Sequence, residues 1–362
     1  MDGSAGRIPT LDEIARKALE RKASDIHITA GAPPTLRIDG HITYLTEYPA
    51  LHPRDTQEII YAVMNEKQKR TFEQENEVDF SIGIKGIGRF RVNVFRQRGT
   101  VAAALRRIPY EILPMEKLGL IPSVKELCNK SMGLVLVTGP TGSGKTTTLA
   151  SMIDYINRNY PYHIITIEDP IEFLFPHRKS LVAQREVGTD TKSFANALKY
   201  ALREDPDVIL VGEMRDLETI KSALTAAETG HLVFGTLHTN TAVQTINRII
   251  NVFPPHEQEQ VRTELSFVLQ GVISQRLLPK IGGGRVLIHE VLIPTPGIRN
   301  LIRENKIHQI YGLMQSGQAG TGMQTMNQDL IKKIREGLIT MEDALRISPD
   351  PRELERLLKT LR

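Results

Sequence analysis

Short hydrophobic runs alternate with polar residues through the first third of the chain, at the spacing typical of antiparallel strands. Helical spacing over residues 11–22 and about 54–70 predicts two helices among them. The predicted strands cover residues 25–28, 35–38, 41–44, 78–84, 89–94 and 100–108. An Asp39-Gly40 pair between two of these strands is typical of a hairpin turn. We therefore predict a small α+β domain over residues 1–108, built on an antiparallel sheet.

The hydrophobic pattern changes after Pro109 and Pro114, which mark a predicted linker over residues 109–116. From there on, continuous apolar runs alternate with helical patterns, which indicates an α/β domain over 117–362 with a mostly parallel sheet. Four of the runs carry polar residues at one end. Beyond residue 240 the pattern is mainly helical. It predicts helices over 241–251, 255–277, 297–311, 327–336 and 351–361, and a strand over 285–293.

A glycine-rich segment follows the apolar run at 134–137 and precedes a helical pattern. Its residues are Gly139, Pro140, Thr141, Gly142, Ser143, Gly144, Lys145, Thr146 and Thr147. They fit the Gly-x4-Gly-Lys-[Ser/Thr] pattern of a P-loop, in which backbone N–H groups and a helix N-terminus bind phosphate oxygens. Lys145 supplies a positive charge to the β- and γ-phosphates, and the Thr146 hydroxyl is a candidate Mg²⁺ ligand. The segment therefore predicts ATP and Mg²⁺ binding.

Polar side chains follow three further apolar runs. Glu168 and Glu172 follow residues 163–167, Glu213 follows 208–211, and His238 ends the run that begins at residue 231. Because ligands collect at the carboxyl ends of parallel strands, we expect these side chains to share one site with the P-loop. Glu213 is the candidate second Mg²⁺ ligand, and either Glu213 or Glu172 is the candidate general base. Glu168 and His238 are expected to assist them.

Arginines crowd onto two neighbouring strands of the small domain, among them Arg96, Arg98 and Arg106. They form either a solvated basic face or a set of guanidinium groups that reach a bound phosphate on this or an adjacent subunit.

The composition argues against several classes of protein, including nucleic-acid-binding and membrane-spanning proteins. The 46 basic and 42 acidic residues give a net charge of +4, too small to argue for nucleic acid, and no apolar stretch reaches 18 residues. The one cysteine, Cys128, excludes an internal disulfide and a four-cysteine zinc site. We expect a cytoplasmic protein whose membrane contact is peripheral only.

Several segments carry a resemblance to a known family. They are Ala23-Ser-Asp-Ile-His27, the P-loop, and the segments 167–172, 211–216 and 235–239. These resemble the conserved boxes of the secretion-superfamily hexameric ATPases, and specifically of the type IV pilus retraction ATPases of the PilT type. The most specific segment is similar to that family's retraction motif, with Gly297 where alanine is usual. It continues with Ile298, Arg299, Asn300, Leu301, Ile302, Arg303 and Glu304.

This resemblance implies a PAS-like N-terminal domain, a RecA-like ATPase domain and a homo-hexamer with ATP at its subunit interfaces. It also implies work on the platform protein of the pilus base at the inner membrane, with the assembly ATPase and paralogues as further candidate partners. Assembly-side relatives usually carry a longer N-terminal region and a four-cysteine zinc site, so the expectation is retraction. Two alternatives stay open from the residues alone: a nucleic-acid translocase, and a nucleotide-gated adaptor that scarcely turns over.

Overall fold

The computed structural model describes residues 7–38, 40–108 and 111–360. The chain divides into two compact units, Met1–Glu111 and Ile112–Arg362. Residues 109 and 110 of the predicted linker, and Asp39 of the predicted hairpin turn, lie outside the described residues. Within the described part of the chain, no helix is both long and apolar enough to cross a lipid bilayer.

The first unit is an α+β domain with one antiparallel sheet. Among the described residues, six strands lie in the order β3-β2-β1-β6-β5-β4. Its elements are α1 (Leu11–Glu20), β1 (Asp25–Ile28), β2 (Thr35–Ile38), β3 (His41–Tyr44), α2 (Pro53–Tyr61), α3 (Glu66–Glu75), β4 (Glu77–Ile84), β5 (Gly88–Gln97) and β6 (Thr100–Ile108). The strand predictions and the first helix are confirmed.

The single helix predicted over 54–70 is wrong, because Asn65 starts a new helix. Its side-chain oxygen accepts from the backbone N–H of Gln68 at 2.9 Å, and the Gln68 side chain accepts from the Asn65 N–H at 2.9 Å. This reciprocal capping box satisfies two N–H groups that a helix start leaves unpaired. The chain therefore forms α2 and α3 with a break between them.

The second unit is an α/β domain built on a larger sheet. Among the described residues, seven strands lie in the order β13-β12-β7-β11-β10-β8-β9, parallel except for the β12–β13 pair. The strands are β7 (Gly133–Thr138), β8 (His163–Glu168), β9 (Leu181–Glu186), β10 (Val208–Val211), β11 (Leu232–Leu237), β12 (Leu269–Pro279) and β13 (Arg285–Leu292). The helices are α4 (Met115–Leu118), α5 (Pro122–Leu127), α6 (Lys145–Asn159), α7 (Phe194–Ala201), α8 (Leu217–Glu228), α9 (Ala242–Asn251), α10 (Gln258–Val268), α11 (Pro296–Arg303), a 3₁₀ turn (Ile307–Gln309), α12 (Ile310–Ser316), α13 (Gln318–Thr321), α14 (Met326–Arg335), α15 (Met341–Ile347) and α16 (Pro351–Thr360).

The central strands explain why this sheet forms. Every residue of β7, β10 and β11 is buried. Parallel strands covered by helices on both faces have no polar side to show, which is why they read as continuous apolar runs. The sheet brings the carboxyl ends of β7, β8, β10 and β11 to one edge, and that edge positions the site.

The helix predicted over 255–277 is wrong in its second half. Helix α10 ends at Val268, and β12 then pairs in parallel with β7. A long apolar stretch can form either a buried helix or a buried strand, and here the pairing with β7 makes its second half a strand. At Gly271 a side chain would lie 2.6 Å from the Leu127 Cδ1 atom, so this glycine lets α5 pack closely on the strand.

Buried carboxylates tie the C-terminal helices to the sheet. Glu290 of β13 accepts from the backbone N–H of Ala242 at the start of α9 and of Met326 at the start of α14, at 2.7 and 3.4 Å. Glu353 of α16 accepts from the Asn327 amide at 2.6 Å and from the Tyr311 hydroxyl at 2.6 Å. The helical C-terminal part is thus anchored through hydrogen-bonded acids as well as apolar contacts.

We expect Glu290 to make stability depend on pH. Burial, with the nearby Glu353 carboxylate, raises the pKa of Glu290 from 4.5 to about 7, against the two backbone N–H groups that lower it. Because the folded state holds the proton more tightly than the unfolded state, the contribution of Glu290 falls as pH rises from 4.5 through 7. Between pH 5.5 and 8, the free energy of unfolding should fall by about 2 kcal/mol more in the wild type than in Glu290→Gln.

Urea unfolding at the two pH values measures this difference. Glu342→Gln, at an exposed position in the first turn of α15, is the matched control and should keep the wild-type pH dependence. Equal pH dependence in wild type and Glu290→Gln would contradict the assignment.

Candidate functional site: a phosphate-binding cleft

A cavity of about 460 Å³ lies at the carboxyl edge of the larger sheet. It gathers most of the residues predicted from sequence for this domain: Thr141, Gly142, Gly144, Lys145, Thr146, Thr147, Glu168, Glu172, Glu213 and His238. The other predicted loop residues, Gly139, Pro140 and Ser143, belong to the same β7–α6 connection. Residues from four separate segments therefore meet in one cleft within the second unit.

The loop between β7 and α6 has the geometry of a phosphate-binding loop. Gly139 has φ of +143°, and a Cβ atom there would lie 2.4 Å from the Gln275 carbonyl oxygen. Only glycine permits that approach, which holds the loop against β12. Helix α6 then begins at Lys145, so its N-terminal N–H groups and the positive end of its dipole lie at the cleft.

Lys145 lies between the loop backbone and the carboxylates of the cleft. Its Nζ donates to the carbonyl oxygens of Gly139 and Pro140, at 2.8 and 3.1 Å. Partial burial lowers the pKa of Lys145, while the charges of Glu213 and Glu172 act in the opposite direction. A lysine held by neutral backbone carbonyls can move to phosphate oxygens once a nucleotide supplies stronger negative charge.

Glu213 sits two residues past the end of β10, with its side chain 19% exposed. His238 Nε2 lies 2.8 Å from Glu213 Oε1, and Arg215 Nε contacts the same oxygen. Gly212 precedes the acid because a Cβ atom there would lie 3.3 Å from the Glu168 Cα atom. The pairing of strands β8 and β10 therefore sets where the Glu213 carboxylate enters the cleft.

Glu168 and Glu172 occupy different environments. Glu168 is 5% exposed and accepts from the Thr166 hydroxyl at 2.6 Å and from the Gln184 amide at 3.2 Å. Burial raises the pKa of Glu168, which favours a carboxyl that keeps its proton. Glu172 is exposed at the cleft. Of the two, Glu172 is the residue that solvent water can reach.

The donor set fits Mg²⁺. The Thr146 hydroxyl and the Glu213 carboxylate line the same cavity, and oxygen donors are what Mg²⁺ prefers. In the described part of the chain, no three acidic, histidine or cysteine side chains cluster as a metal cage. Mg²⁺ is usually held by one or two protein ligands together with substrate phosphates and water, which this arrangement allows.

The three arginines singled out in sequence lie in the first unit, on β5, on β6 and in the turn between them. Arg96 of β5 pairs with Glu73 at 2.7 Å and lies over the Phe72 ring, and Arg106 of β6 pairs with Asp25 at 2.9 Å. Arg98 stands in the β5–β6 turn with φ of +51°. Their contact with a bound nucleotide stays a prediction.

The retraction-like segment forms α11 and the residue after it, and its two faces differ. Ile298 and Ile302 are fully buried. Arg299 donates to the Ser266 and Phe267 carbonyl oxygens at the end of α10, and Arg303 lies over the Phe267 ring. Asn300 and Glu304 are exposed and joined by a 2.7 Å hydrogen bond. The isoleucines and arginines thus fix the helix, and the exposed pair presents a polar face.

These two faces predict different effects of substitution. Ile302→Ala should lower the free energy of unfolding by about 2–5 kcal/mol, because it leaves a cavity in the core. Asn300→Ala removes an exposed interaction and should cost less than about 1 kcal/mol. Urea unfolding of both variants checks this contrast. Equal losses in the two variants would contradict the division of faces.

Sequence reasoning missed several residues of the cleft. Arg215, Thr236, Phe194, Leu277 and Arg285 also line it. Arg215 lies two residues after Glu213, in a segment already singled out, so its place in the cleft could have been predicted from the sequence. Arg285 and Leu277 come from the β12–β13 hairpin, which the predicted helix over 255–277 concealed.

A P-loop at the carboxyl edge of a parallel sheet, with a carboxylate after a neighbouring strand, defines this domain as a RecA-like P-loop ATPase. The first unit is the PAS-like domain that accompanies it. The family model of the type II/IV secretion system proteins matches residues 2–283. The chain belongs to that family.

Two characterised relatives and one solved structure are similar over nearly the whole chain. The "Type IV pilus retractation ATPase PilT" of Pseudomonas aeruginosa is 53% identical, over 92% of this chain and 96% of its own. A "Twitching motility protein" of Neisseria gonorrhoeae is 52% identical, over 90% of this chain and 88% of its own. A crystal structure of the pilus retraction motor PilT with bound ADP is 65% identical, with a TM-score of 0.89, and covers 96% of this chain and 99% of that one.

Proposed function

We propose that this chain is the motor ATPase of a six-membered ring that couples ATP hydrolysis to type IV pilus retraction and so to twitching motility. One observation supports the proposal: a P-loop lysine, Glu213, Glu172 and His238 line one cavity, in a chain similar over 92% of its length to a retraction ATPase. The cleft supports hydrolysis, and the relatives named above support its use in retraction.

The cleft residues predicted from sequence have separate roles in this proposal. Lys145 and the loop N–H groups bind the β- and γ-phosphates, which orients the terminal phosphate. Thr146 and Glu213 would hold Mg²⁺, which supplies further positive charge to the leaving phosphates. Either Glu213 or Glu172 accepts the proton of the attacking water. His238 holds Glu213 in place through its 2.8 Å contact. Glu168 holds the end of β8 through its hydrogen bond from the Thr166 hydroxyl.

The arginines complete the site in the assembled ring. Arg96, Arg98 and Arg106 are proposed to reach the phosphates of this or an adjacent subunit, where a guanidinium group stabilises charge on the transferred phosphoryl. The ring is proposed to act on the platform protein of the pilus base, at the cytoplasmic side of the inner membrane with peripheral contact only. The assembly ATPase and paralogues are further candidate partners, and nucleic acid is not expected to bind.

The retraction-like helix has its own place in the proposal. The residues 298–304 are proposed to be needed for retraction rather than for hydrolysis, with Asn300 and Glu304 as the exposed members. Asn300→Ala would then keep the ATPase rate and lose retraction.

Imaging of labelled pili tests the proposal. Cells that encode this chain are compared with a deletion strain complemented by wild type, by Glu213→Gln or by Glu218→Gln, an exposed position on α8. We expect retraction to stop with Glu213→Gln while pili still extend, and to persist with Glu218→Gln. Normal retraction in the deletion strain, or loss of pili from it, would reject the proposed function.

ATP binding and hydrolysis by the purified protein distinguish the proposed motor from an accessory role. A ring that binds ATP but hydrolyses it negligibly would indicate a nucleotide-gated adaptor. Hydrolysis stimulated by DNA would instead favour translocation of nucleic acid.

A further inference from the structure

A buried glutamine on β12, Gln275, contacts the backbone of the phosphate-binding loop. Gln275 is 1% exposed, and its Nε2 donates to the Ser143 carbonyl oxygen at 2.9 Å. The two residues are 132 positions apart in sequence. The backbone of Gln275 also closes on the loop, since its carbonyl oxygen faces the Gly139 Cα atom.

The strand that carries this glutamine is itself fastened to the start of the loop. Ser274 Oγ lies 2.8 Å from the Thr138 hydroxyl, at the last residue of β7. The backbones of Ser274 and Thr138 are partners in the parallel ladder. The backbone position of Gln275 is therefore fixed relative to the start of the loop.

The direction of this hydrogen bond follows from the chemistry of the partners. A backbone carbonyl can only accept, so the Gln275 amide nitrogen has to face Ser143. No hydrogen-bond partner of Gln275 Oε1 or of the Ser143 hydroxyl is present among the described residues. The Gln275 side chain therefore keeps the orientation that bonds its Nε2 to the Ser143 carbonyl, although its Oε1 then accepts no hydrogen bond from the described residues.

From this we infer that Gln275 is a positioning residue for phosphate binding: by holding the Ser143 carbonyl toward β12, it turns the Gly144 N–H into the cleft. In a trans peptide, the C=O and the N–H of one unit point in opposite directions. The unit between Ser143 and Gly144 is held at its oxygen on the β12 side, so its N–H points to the other side. Gly144 and Lys145 line the cavity on that side.

The bond also keeps a repulsive group away from the nucleotide. A carbonyl oxygen turned toward a phosphate would meet a negative charge, whereas an N–H group donates to it. Without the Gln275 amide, the peptide unit can rotate, because Gly144 tolerates many backbone angles. Phosphate affinity would then fall while the sheet and helices stayed in place.

Nucleotide binding by the full-length chain tests the inference. Gln275→Met keeps the length of the side chain and removes the donor. We expect its dissociation constant for a fluorescent ADP to rise at least ten-fold, with KM for ATP raised in parallel and kcat changed less, since the loop binds ground state and transition state alike. The thermal unfolding temperature is measured alongside.

A matched control is available on the same strand. Gln270 of β12 also donates its amide to a backbone carbonyl, that of Met132 at 3.2 Å, and does not contact the P-loop. Gln270→Met should bind ADP as the wild type does. If Gln275→Met binds ADP within two-fold of the wild type and of Gln270→Met, the inference is overturned.

A second variant gives a signature that a merely structural role would not produce. In Gln275→Glu, a protonated carboxyl can donate to the Ser143 carbonyl and an ionised one cannot. The ratio of its ADP dissociation constant to that of the wild type should therefore rise from pH 6 to pH 8.5. A constant ratio would overturn the inference, even if Gln275→Met failed to fold.

The inference rests on the nucleotide site of the proposed function, and the two can fail separately. If the wild type binds no ADP, the proposed function fails. If wild type and Gln270→Met bind ADP and the Gln275 variants bind it equally well, only the positioning role is lost.

Discussion

Replacement of Glu213 by glutamine is expected to lower the rate of ATP hydrolysis by between about a hundred-fold and ten-thousand-fold, the range that loss of a general base or metal-bound carboxylate produces. Nucleotide binding should persist, because the P-loop and Lys145 are unchanged. Glutamine has the same shape as glutamate, so it keeps the contact geometry near His238 and removes only the charge and proton affinity. Steady-state phosphate release, with fluorescent ADP binding measured in parallel, checks both parts.

Two comparisons make this experiment decisive. Glu218→Gln, five residues on in the first turn of α8, is exposed and should keep the wild-type rate. Glu172→Gln, at the other candidate base, shows which carboxylate the chemistry depends on more. Wild-type turnover in Glu213→Gln would remove this residue from the mechanism.

Replacement of Lys145 by alanine is expected to abolish hydrolysis, because the terminal phosphate loses the cation that orients it, and to weaken nucleotide binding. A charge-assisted hydrogen bond to phosphate contributes roughly 1.5–3 kcal/mol, which corresponds to about ten- to a hundred-fold in affinity. The change also removes one positive charge near Glu213 and Glu172, so the repulsion between these acids and the polyphosphate grows. The dissociation constant for ADP and the ATPase rate at saturating ATP measure the two effects.

Lys199→Ala is the matched control for this change. Lys199 is exposed near the end of α7 and does not line the cleft, so the variant should bind ADP and turn over ATP as the wild type does. Unchanged ADP affinity in Lys145→Ala would contradict the geometry described for the P-loop.

The parts of the fold that local pattern determines could be predicted from the sequence. The apolar runs before Gly139 and over 208–211 are strands, and Glu213 follows the second of them, as expected. Continuous apolar runs between turn residues have few other structures available in an α/β domain. The meeting of Lys145, Glu213 and His238 in one cavity follows from the parallel order of those strands.

The parts that depend on distant contacts could not be predicted. Strand β9 (Leu181–Glu186) lies at the sheet edge and ends in Gln184, Arg185 and Glu186, so its apolar run is only three residues long. Strand β12 looked helical because its pairing with β7 joins residues more than 130 positions apart. Gln275 acts through a bond to a residue 132 positions away and Gln184 through one to a residue 16 positions away, and no local spacing indicates such partners.

The central claim is that the cleft of the second unit hydrolyses ATP as part of a multisubunit motor. The most direct test is the ATPase rate per subunit as a function of protein concentration, with molecular mass measured on the same samples, for the wild type and Lys145→Ala. The account predicts a rate per subunit that rises as six-membered assemblies form and that vanishes in Lys145→Ala. An equal rate per subunit in isolated monomers, or activity that survives in Lys145→Ala, would contradict it.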